Sequence, residues 1–398
     1  MSALLAHSPT IARASRDALR TETALSVRAL TPAMLESCAD ALASLAERAL
    51  ARNVFYEAPF LLHAAHHLRD GGRPLMVTVW RADELVALFP IAAPGFSIGP
   101  RVARGWLSRY MTDGTPLIDM ACAEPALEAF LDWADAPAQN FTGVSFPAID
   151  VNGPFAALLR TVSQRRALAV ARFGAFDRAA LRPREQANVE FAPSAKKRRE
   201  LQRQSKRLGE TGSLVWRAAT ERRDVRDAFE HFLALEARGW KGRASSAMMQ
   251  DAPAAAFARC AMRALASEGR CRIDLLELDG EPIAATIELL AGHKAYFWKI
   301  AYDETRARFS PGAQASMRLT ERHQSAADLM LVDSCAEADH PMINRMWRER
   351  IRIADLFVAT SSRRGSSVAL AMRAETLRRG ARAAAKSLYR AIRPVKAR

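Results

Sequence analysis

Two stretches of the chain, 197 residues apart, repeat each other's apolar spacing without a gap. Phe60, Ala64, Leu68, Gly72 and Arg73 recur as Phe257, Ala261, Leu265, Gly269 and Arg270, and Glu84 and Ala87 recur as Glu281 and Ala284. Large and small apolar residues at i, i+4 and i+8 predict an amphipathic helix in each copy. A glycine just past the last turn predicts its end. Each helix leads into an apolar strand (75–80; 273–278), a polar turn and a second strand (85–91; 283–290). Asp279-Gly280 marks the second turn as a tight hairpin. Seven identities at one offset, on matching elements, indicate an internal duplication.

Around the second copy the pattern predicts a basic helix over 195–208 with Ser194 as its N-cap, a strand over 213–218 and a helix over 224–237. The repeat helix (254–267) and its hairpin follow. Next come a strand over 294–301, a loop, a helix over 313–327, a strand over 329–333, a second loop and a last helix over 343–356. This order predicts an α+β fold with mixed, mostly antiparallel sheets flanked by helices. The first copy is less defined after Ile91, with strands expected near 116–120 and 142–146. A linker is expected across 171–191, where Pro183 interrupts a charged stretch. The expected organisation is a flexible terminus (1–24), a first domain (25–172), a second domain (173–362) and a basic tail (363–398).

Composition narrows the partners. The 398 residues are 49% hydrophobic and 25% charged, with a formal charge of +15. These proportions belong to a globular protein rather than a disordered or fibrous one. Residues 1–175 hold 16 Arg and 16 Asp+Glu and are neutral, so the excess lies in the second half. Most of it falls in two elements, 194–207 with seven basic residues and one acid, and 373–398 with nine and one. Two basic elements, rather than a basic surface, make nucleic acid an unexpected partner. Five cysteines without CxxC spacing exclude a zinc site or disulfide framework and fit a reducing compartment. No apolar run is long enough to span a bilayer. The Ala/Ser/Arg-rich N-terminus reads as a frayed end rather than a signal or transit peptide. The expected location is cytoplasmic, or peripheral to the inner membrane.

Several local motifs carry a family likeness: Ser194-Ala195-Lys196-Lys197-Arg198-Arg199, Leu235-Glu236-x₃-Trp240-Lys241-Gly242-Arg243, Leu278-Asp279-Gly280, Trp298-Lys299-Ile300-Ala301-Tyr302-Asp303, Phe309-Ser310-Pro311-Gly312 and Asp333-Ser334-Cys335-x₃-Asp339-His340-Pro341. With the element order, they resemble the GNAT acyltransferase superfamily. More narrowly, they resemble the tandem-GNAT acetyltransferases of the CelD/BcsL-like cellulose-biosynthesis group, relatives of the FemAB peptidyltransferases. Asn53-Val54-Phe55-Tyr56 extends the likeness into the first, degenerate half. The resemblance implies transfer of an acyl group, acetyl above all, from acetyl-CoA to an amine or hydroxyl of a small molecule, sugar, polysaccharide precursor or envelope component, with no metal. An aminoacyl-tRNA donor, and a non-catalytic scaffold on nucleic acid or membrane, are the alternatives.

On the donor side, a small-residue turn opening a helix offers unpaired N–H groups and a positive dipole end to a pyrophosphate. Arg308, Ser310, Gly312, Ala313 and Gln314 form such a turn, with Gln314 where the commoner pattern has a small residue. Near the strand ends, Asp333 or His340 could take the acceptor proton, Tyr302 could protonate the leaving thiolate, and Lys299 would line the acceptor side. The resemblance places Lys197 and Arg198 of the basic helix beside an acceptor groove, where Trp240 and Lys241 could also contact substrate. Cys335 with His340 suggests a covalent alternative, though a small buried cysteine fits as well. His63 and His67 have metal-pair spacing but read as a solvated face. In the tail, Leu370, Ala374, Leu377, Ala381, Ala384, Leu388 and Ala391 alternate with basic residues. This predicts a basic amphipathic helix, broken at Gly380, whose stretch 367–398 could lie on anionic lipid, although a face made mostly of alanine favours packing on the protein or disorder.

Overall fold

The structure, a computed structural model, describes residues 24–93, 99–183, 195–324, 326 and 328–392. The expected terminus over 1–23, part of the linker, the Ser194 cap and the last six residues of the tail lie outside the described residues. In the first half the elements are β1 (Leu25–Leu30), α1 (Pro32–Glu36), α2 (Ala39–Arg48), α3 (Ala58–His67), β2 (Pro74–Arg81), β3 (Glu84–Ala92) and β4 (Val102–Arg104). They continue with β5 (Leu117–Ile118), α4 (Ala123–Asp135), β6 (Gly143–Asp150), α5 (Pro154–Arg165) and β7 (Val170–Leu181). The second half opens with α6 (Ala195–Gly209), β8 (Leu214–Ala219), α7 (Arg222–Arg238), α8 (Trp240–Arg243), α9 (Ala252–Ser267) and β9 (Cys271–Leu278). It closes with β10 (Glu281–Ala291), β11 (Lys294–Tyr302), α10 (Pro311–Gln324), β12 (Leu331–Asp333), α11 (Ile343–Met346), β13 (Glu349–Ala359) and α12 (Gly365–Ile392).

These form an α+β protein with two sheets, the smaller antiparallel and the larger mixed. One sheet has the order β1-β2-β3-β5, and the other β4-β6-β13-β7-β12-β11-β10-β9-β8. Strands of both halves therefore share the larger sheet. β7 runs across residues 172 and 173, where a domain boundary is expected from sequence. β13 lies between β6 and β7 and pairs antiparallel with each.

One element departs from expectation outright. The helix anticipated over 343–356 is a single turn, α11, followed by the 11-residue strand β13. Ile351 and Ile353 are buried while Arg352 between them is exposed. That period-two, β-branched run fits a pleated surface and overrides the helical spacing before it. The strand expected over 116–120 is only two residues, β5.

The duplication is visible in three dimensions. Both copies fold as helix, strand, hairpin and strand, and α3 packs on α9. Phe60 and Phe257, the matching positions of the repeat, meet edge to face at 5.0 Å between ring centroids. Phe55, Tyr296 and Trp298 extend this aromatic contact into the second half. Gly72 and Gly269, also matching, both hold positive φ (78° and 68°), a left-handed turn that glycine adopts without steric cost. Because Phe60 and Phe257 are fully buried, truncating either to alanine should cost about 3–5 kcal/mol in urea unfolding. The double variant should cost less than the sum, since the two rings fill one space.

α12 packs Val368 and Ala371 against Phe357 and Ala359 of β13. It continues through Gly380 without the expected break. A helical glycine costs only about 1 kcal/mol relative to alanine. The preceding turn is clamped: Glu375 accepts from Arg104, Arg378 and Arg379, and Arg379 also pairs with Asp355.

Candidate functional site

The site begins where two strands part. β11 and β12 run parallel for three residues, from Lys294 opposite Leu331 to Tyr296 opposite Asp333. β12 then ends, while β11 continues to Tyr302 paired only with β10. A wedge opens beside the second half of β11.

A bulge sits at the mouth of this wedge. Ile287 and Glu288 of β10 face Lys299 and Phe297, so Trp298 is the extra residue. Trp298 and Lys299 turn toward the same loop of the first half. The Trp298 indole donates to the Tyr110 carbonyl (2.8 Å), and the Lys299 ammonium lies over the Tyr110 ring (5.2 Å) and the Trp298 ring (5.5 Å). A bulge re-aims a side chain in this way. Among the described residues no carboxylate lies within ion-pairing distance of Lys299. Burial, reinforced by the nearby Lys241 charge, lowers its ammonium to about 8.

Next to Lys299, α7 and α8 supply a second wall. Lys241 donates to the buried Glu236 (2.6 Å), whose other oxygen accepts from the Met248 amide (2.8 Å). Glu304 accepts from the Trp240 amide (2.7 Å). Glu236, Trp240, Lys241, Ile300, Tyr302 and Glu304 line a cleft of about 40 Å³. The Trp240 ring is 58% exposed and so stands at its rim rather than in the core.

The expected donor turn lies at the end of β11. Ser310 adopts φ 53°, ψ 48° and ends a 3₁₀ segment, Glu304–Phe309, from which α10 starts at Pro311. A side chain at Gly312 would place its Cβ 2.8 Å from the Tyr302 ring, so only glycine lets the helix start this close to β11. Gln314 does not protrude. It is buried, and its side-chain amide donates back to the Phe309 carbonyl (2.8 Å). Its side chain is therefore tied back to the turn, and the start of the 14-residue helix, with Gly312 buried and Ala313 half-buried, carries the positive end of the dipole. The Arg308 guanidinium lies over the Phe309 ring.

Asp333 is held differently. It is buried, accepting from Arg178 (3.2 Å) and from the Cys335 amide (2.8 Å), with Lys294 at 3.9 Å. Lys294 in turn donates to Asp113 (2.8 Å), which also accepts from the Tyr296 hydroxyl (3.2 Å). Burial alone would raise Asp113, but the charge and hydrogen bond of Lys294 pull it below the usual carboxylate range. This four-charge network ties first-half residues 112–115 to β11, β12 and β7. His340 sits in its own turn, its Nδ1 accepting from the Ile343 amide (3.3 Å), and burial lowers its pKa. No hydrogen bond joins it to Asp333. Burial pushes the Cys335 thiol up to about 12, with the Asp333 charge adding to the effect. A thiol that stays protonated is a poor nucleophile, which argues against the covalent cysteine scheme.

Tyr302, Trp240 and Lys241 thus line one cleft, and Lys299 lies on the same strand as Tyr302 with its ammonium over Tyr110 and Trp298. Lys197 and Arg198 stand elsewhere. α6 packs against the 304–309 segment and α10, which puts these residues on the donor side of β11. Lys197 pairs with Glu200 (3.1 Å), and Arg198 borders a groove shared with Trp216, Gln314 and Arg318. Tyr110, Asp113 and Arg178 were not visible in advance, because they come from the first half, which carries no motif there. Glu236 stood inside a quoted motif, adjacent to Trp240 and Lys241. Among the described residues no cluster of His, Cys, Asp and Glu is arranged to hold a metal.

Residues 195–339 match the family model of the acetyltransferase (GNAT) domain. Among solved structures, the chain is similar to the C-terminal DUF2156 domain of a protein from Agrobacterium fabrum assigned as a lysylphosphatidylglycerol synthetase. The identity is 10% and the TM-score 0.53, over 84% of this chain and 96% of that one. It is similar to FemX to the same extent, with 11% identity and a TM-score of 0.52 over 84% and 96% of the two chains. No curated protein matches the sequence significantly. At such identities the structural likeness speaks for the fold, and the domain match for the chemistry of its class. Residues 195–339 thus match a GNAT acetyltransferase domain, and the described residues have a tandem GNAT-like fold similar to that of FemX.

Proposed function

We propose that the protein transfers an acyl group, most readily acetyl, from acetyl-CoA to an amine or hydroxyl by direct attack on the thioester. The observation that carries this reading is the lysine at the β11 bulge, lowered to about 8, on the strand that leads to the Gly312 helix start and whose Tyr302 lines the cleft rimmed by Trp240. Bound acetyl-CoA would supply an activated acyl carbonyl. Gly312 and Ala313 would hold its phosphates through their backbone amides. Lys299, about one tenth neutral at pH 7 and half neutral at pH 8 given that value, takes the acceptor's proton at Nζ. Tyr302, whose ring lies against Gly312, is the proton donor for the leaving sulfur. Trp240 offers a face on which a sugar can stack, and Lys241 and Glu236 supply polar contacts. With the motif likeness, this favours a sugar or envelope-related acceptor. Asp333 acts through position, by holding Lys294 and Arg178, and His340 is the second candidate base.

The two bases differ in pH signature. With Lys299 as base, kcat/KM rises with pH to a limb near 8. With His340, whose pKa lies below the usual imidazole, kcat/KM is flat above pH 7. His340→Gln should therefore leave turnover within about threefold of wild type. A hundredfold loss would transfer the role to His340.

Donor identity is tested by thermal unfolding. Acetyl-CoA at a hundredfold excess over Kd should stabilise the wild type by about 2.7 kcal/mol and leave Gly312→Trp unshifted. A second reading, an aminoacyl-tRNA donor, is favoured by the basic helix α6 lying against the donor turn. Salt-sensitive tRNA binding with no shift from any acyl-CoA would establish it in place of the first.

A further inference from the structure

The C-terminal helix α12 is mounted with its polar contacts inward and its apolar stripe outward. Val368, Ala371 and Glu375 are buried against the protein, and the ion pairs of Glu375, Arg378 and Arg379 face Arg104 and Asp355. Leu370, Ala374, Leu377, Ala381 and Ala384 follow one another at steps of four and three residues and are all exposed. Leu370 is 55% exposed and Leu377 74%, a state that burial against the protein would normally have prevented. Arg373, on the same exposed side, makes no ion pair among the described residues.

We infer that this outward face of α12 docks the protein on an anionic lipid surface. Charge selects the occupant. Residues 365–398 carry nine basic side chains and one acid. That acid, Glu375, is buried and shared by three arginines, so it cannot offset the field outside. Two copies meeting through this face would bring like charges together, whereas anionic headgroups complement them. None of the described helices is long and apolar enough to cross a membrane, so the helix lies on the surface. Leu370 and Leu377 enter the acyl boundary while Arg373 remains at headgroup level. This inference is independent of the acyl-transfer reading, because α12 contributes nothing to the cleft.

The full chain is sedimented with vesicles of phosphatidylcholine alone or mixed equally with phosphatidylglycerol. At low salt the wild type should partition at least about tenfold more strongly onto the mixed vesicles, and lose most of that preference as salt screens the charges. Leu370→Ser/Leu377→Ser should weaken partitioning by about tenfold or more, and Arg373→Glu by several-fold. All three positions are exposed, so unchanged thermal unfolding will show that the fold is intact. Equal partitioning onto both vesicle types, or wild-type partitioning by the double-serine variant, would overturn the inference. So would a concentration-dependent dimer that the double-serine variant abolishes in the absence of vesicle binding, since the face would then join two copies of the chain.

Discussion

Replacing Lys299 with methionine should lower kcat by about 10²–10⁴, the range of a lost general base, while the stabilisation by acetyl-CoA survives. The argument joins geometry to charge. The bulge at Trp298 turns Lys299 toward Tyr110, two aromatic faces cover the ammonium, and no carboxylate among the described residues pairs with it. Its pKa falls to about 8 as a result. The same shift has a sign for stability. Between about 8 and the ordinary lysine value near 10.4, the folded chain binds fewer protons than the unfolded one, so stability rises with pH through that window. Lys299→Met should accordingly melt higher than wild type at pH 7, with the gap closing toward pH 10. Unchanged turnover, or a variant less stable at pH 7, would refute the assignment.

Asp333→Ala should cost about 3–5 kcal/mol of unfolding free energy, because it leaves the buried Arg178 charge without its carboxylate. Arg178 keeps only the carbonyls of Thr112 and Ala336 as acceptors. Arg178→Ala should cost a similar amount, and the double variant much less than the sum. Asp113 adds a pH dependence. Since its carboxyl is pulled below the usual range, its contribution is present above about pH 4 and disappears as pH falls toward its folded value. Turnover should also fall in Asp333→Asn, through kcat rather than donor affinity, because the network fixes residues 112–115 beside the cleft.

The second half was readable because its elements announce themselves. Gly269 and Asp279-Gly280 punctuate α9 and the β9–β10 hairpin, and each runs within two residues of its expected limits. Lys299, Tyr302, Trp240 and Lys241 were found as motif members. What converts Lys299 from a strand residue into a base was not readable, since a one-residue bulge leaves no mark in Trp298-Lys299-Ile300. Asp333 illustrates the opposite case. Its position at a strand end suggested a base, and the contacts with Arg178 and Lys294, which come from distant parts of the chain, could not be read there. β13 was misread because Ile343 to Leu356 satisfies a helical spacing until Arg350, and only the pairing with β6 and β7 decides the matter.

That pairing bears on how the chain acquires its fold during synthesis. While the first 348 residues are being made, β6 and β7 have an empty slot between them that only residues 349–359 fill. Exposed strand edges persist until residues 349–359 have left the ribosome, and the closing contacts span 169 to 216 positions. Folding should therefore be slow and dependent on β13, with a refolding phase that a chain truncated before residue 349 lacks. Cutting the gene between the two halves should yield insoluble fragments rather than two working domains. Co-expression of the fragments is the condition under which solubility should return.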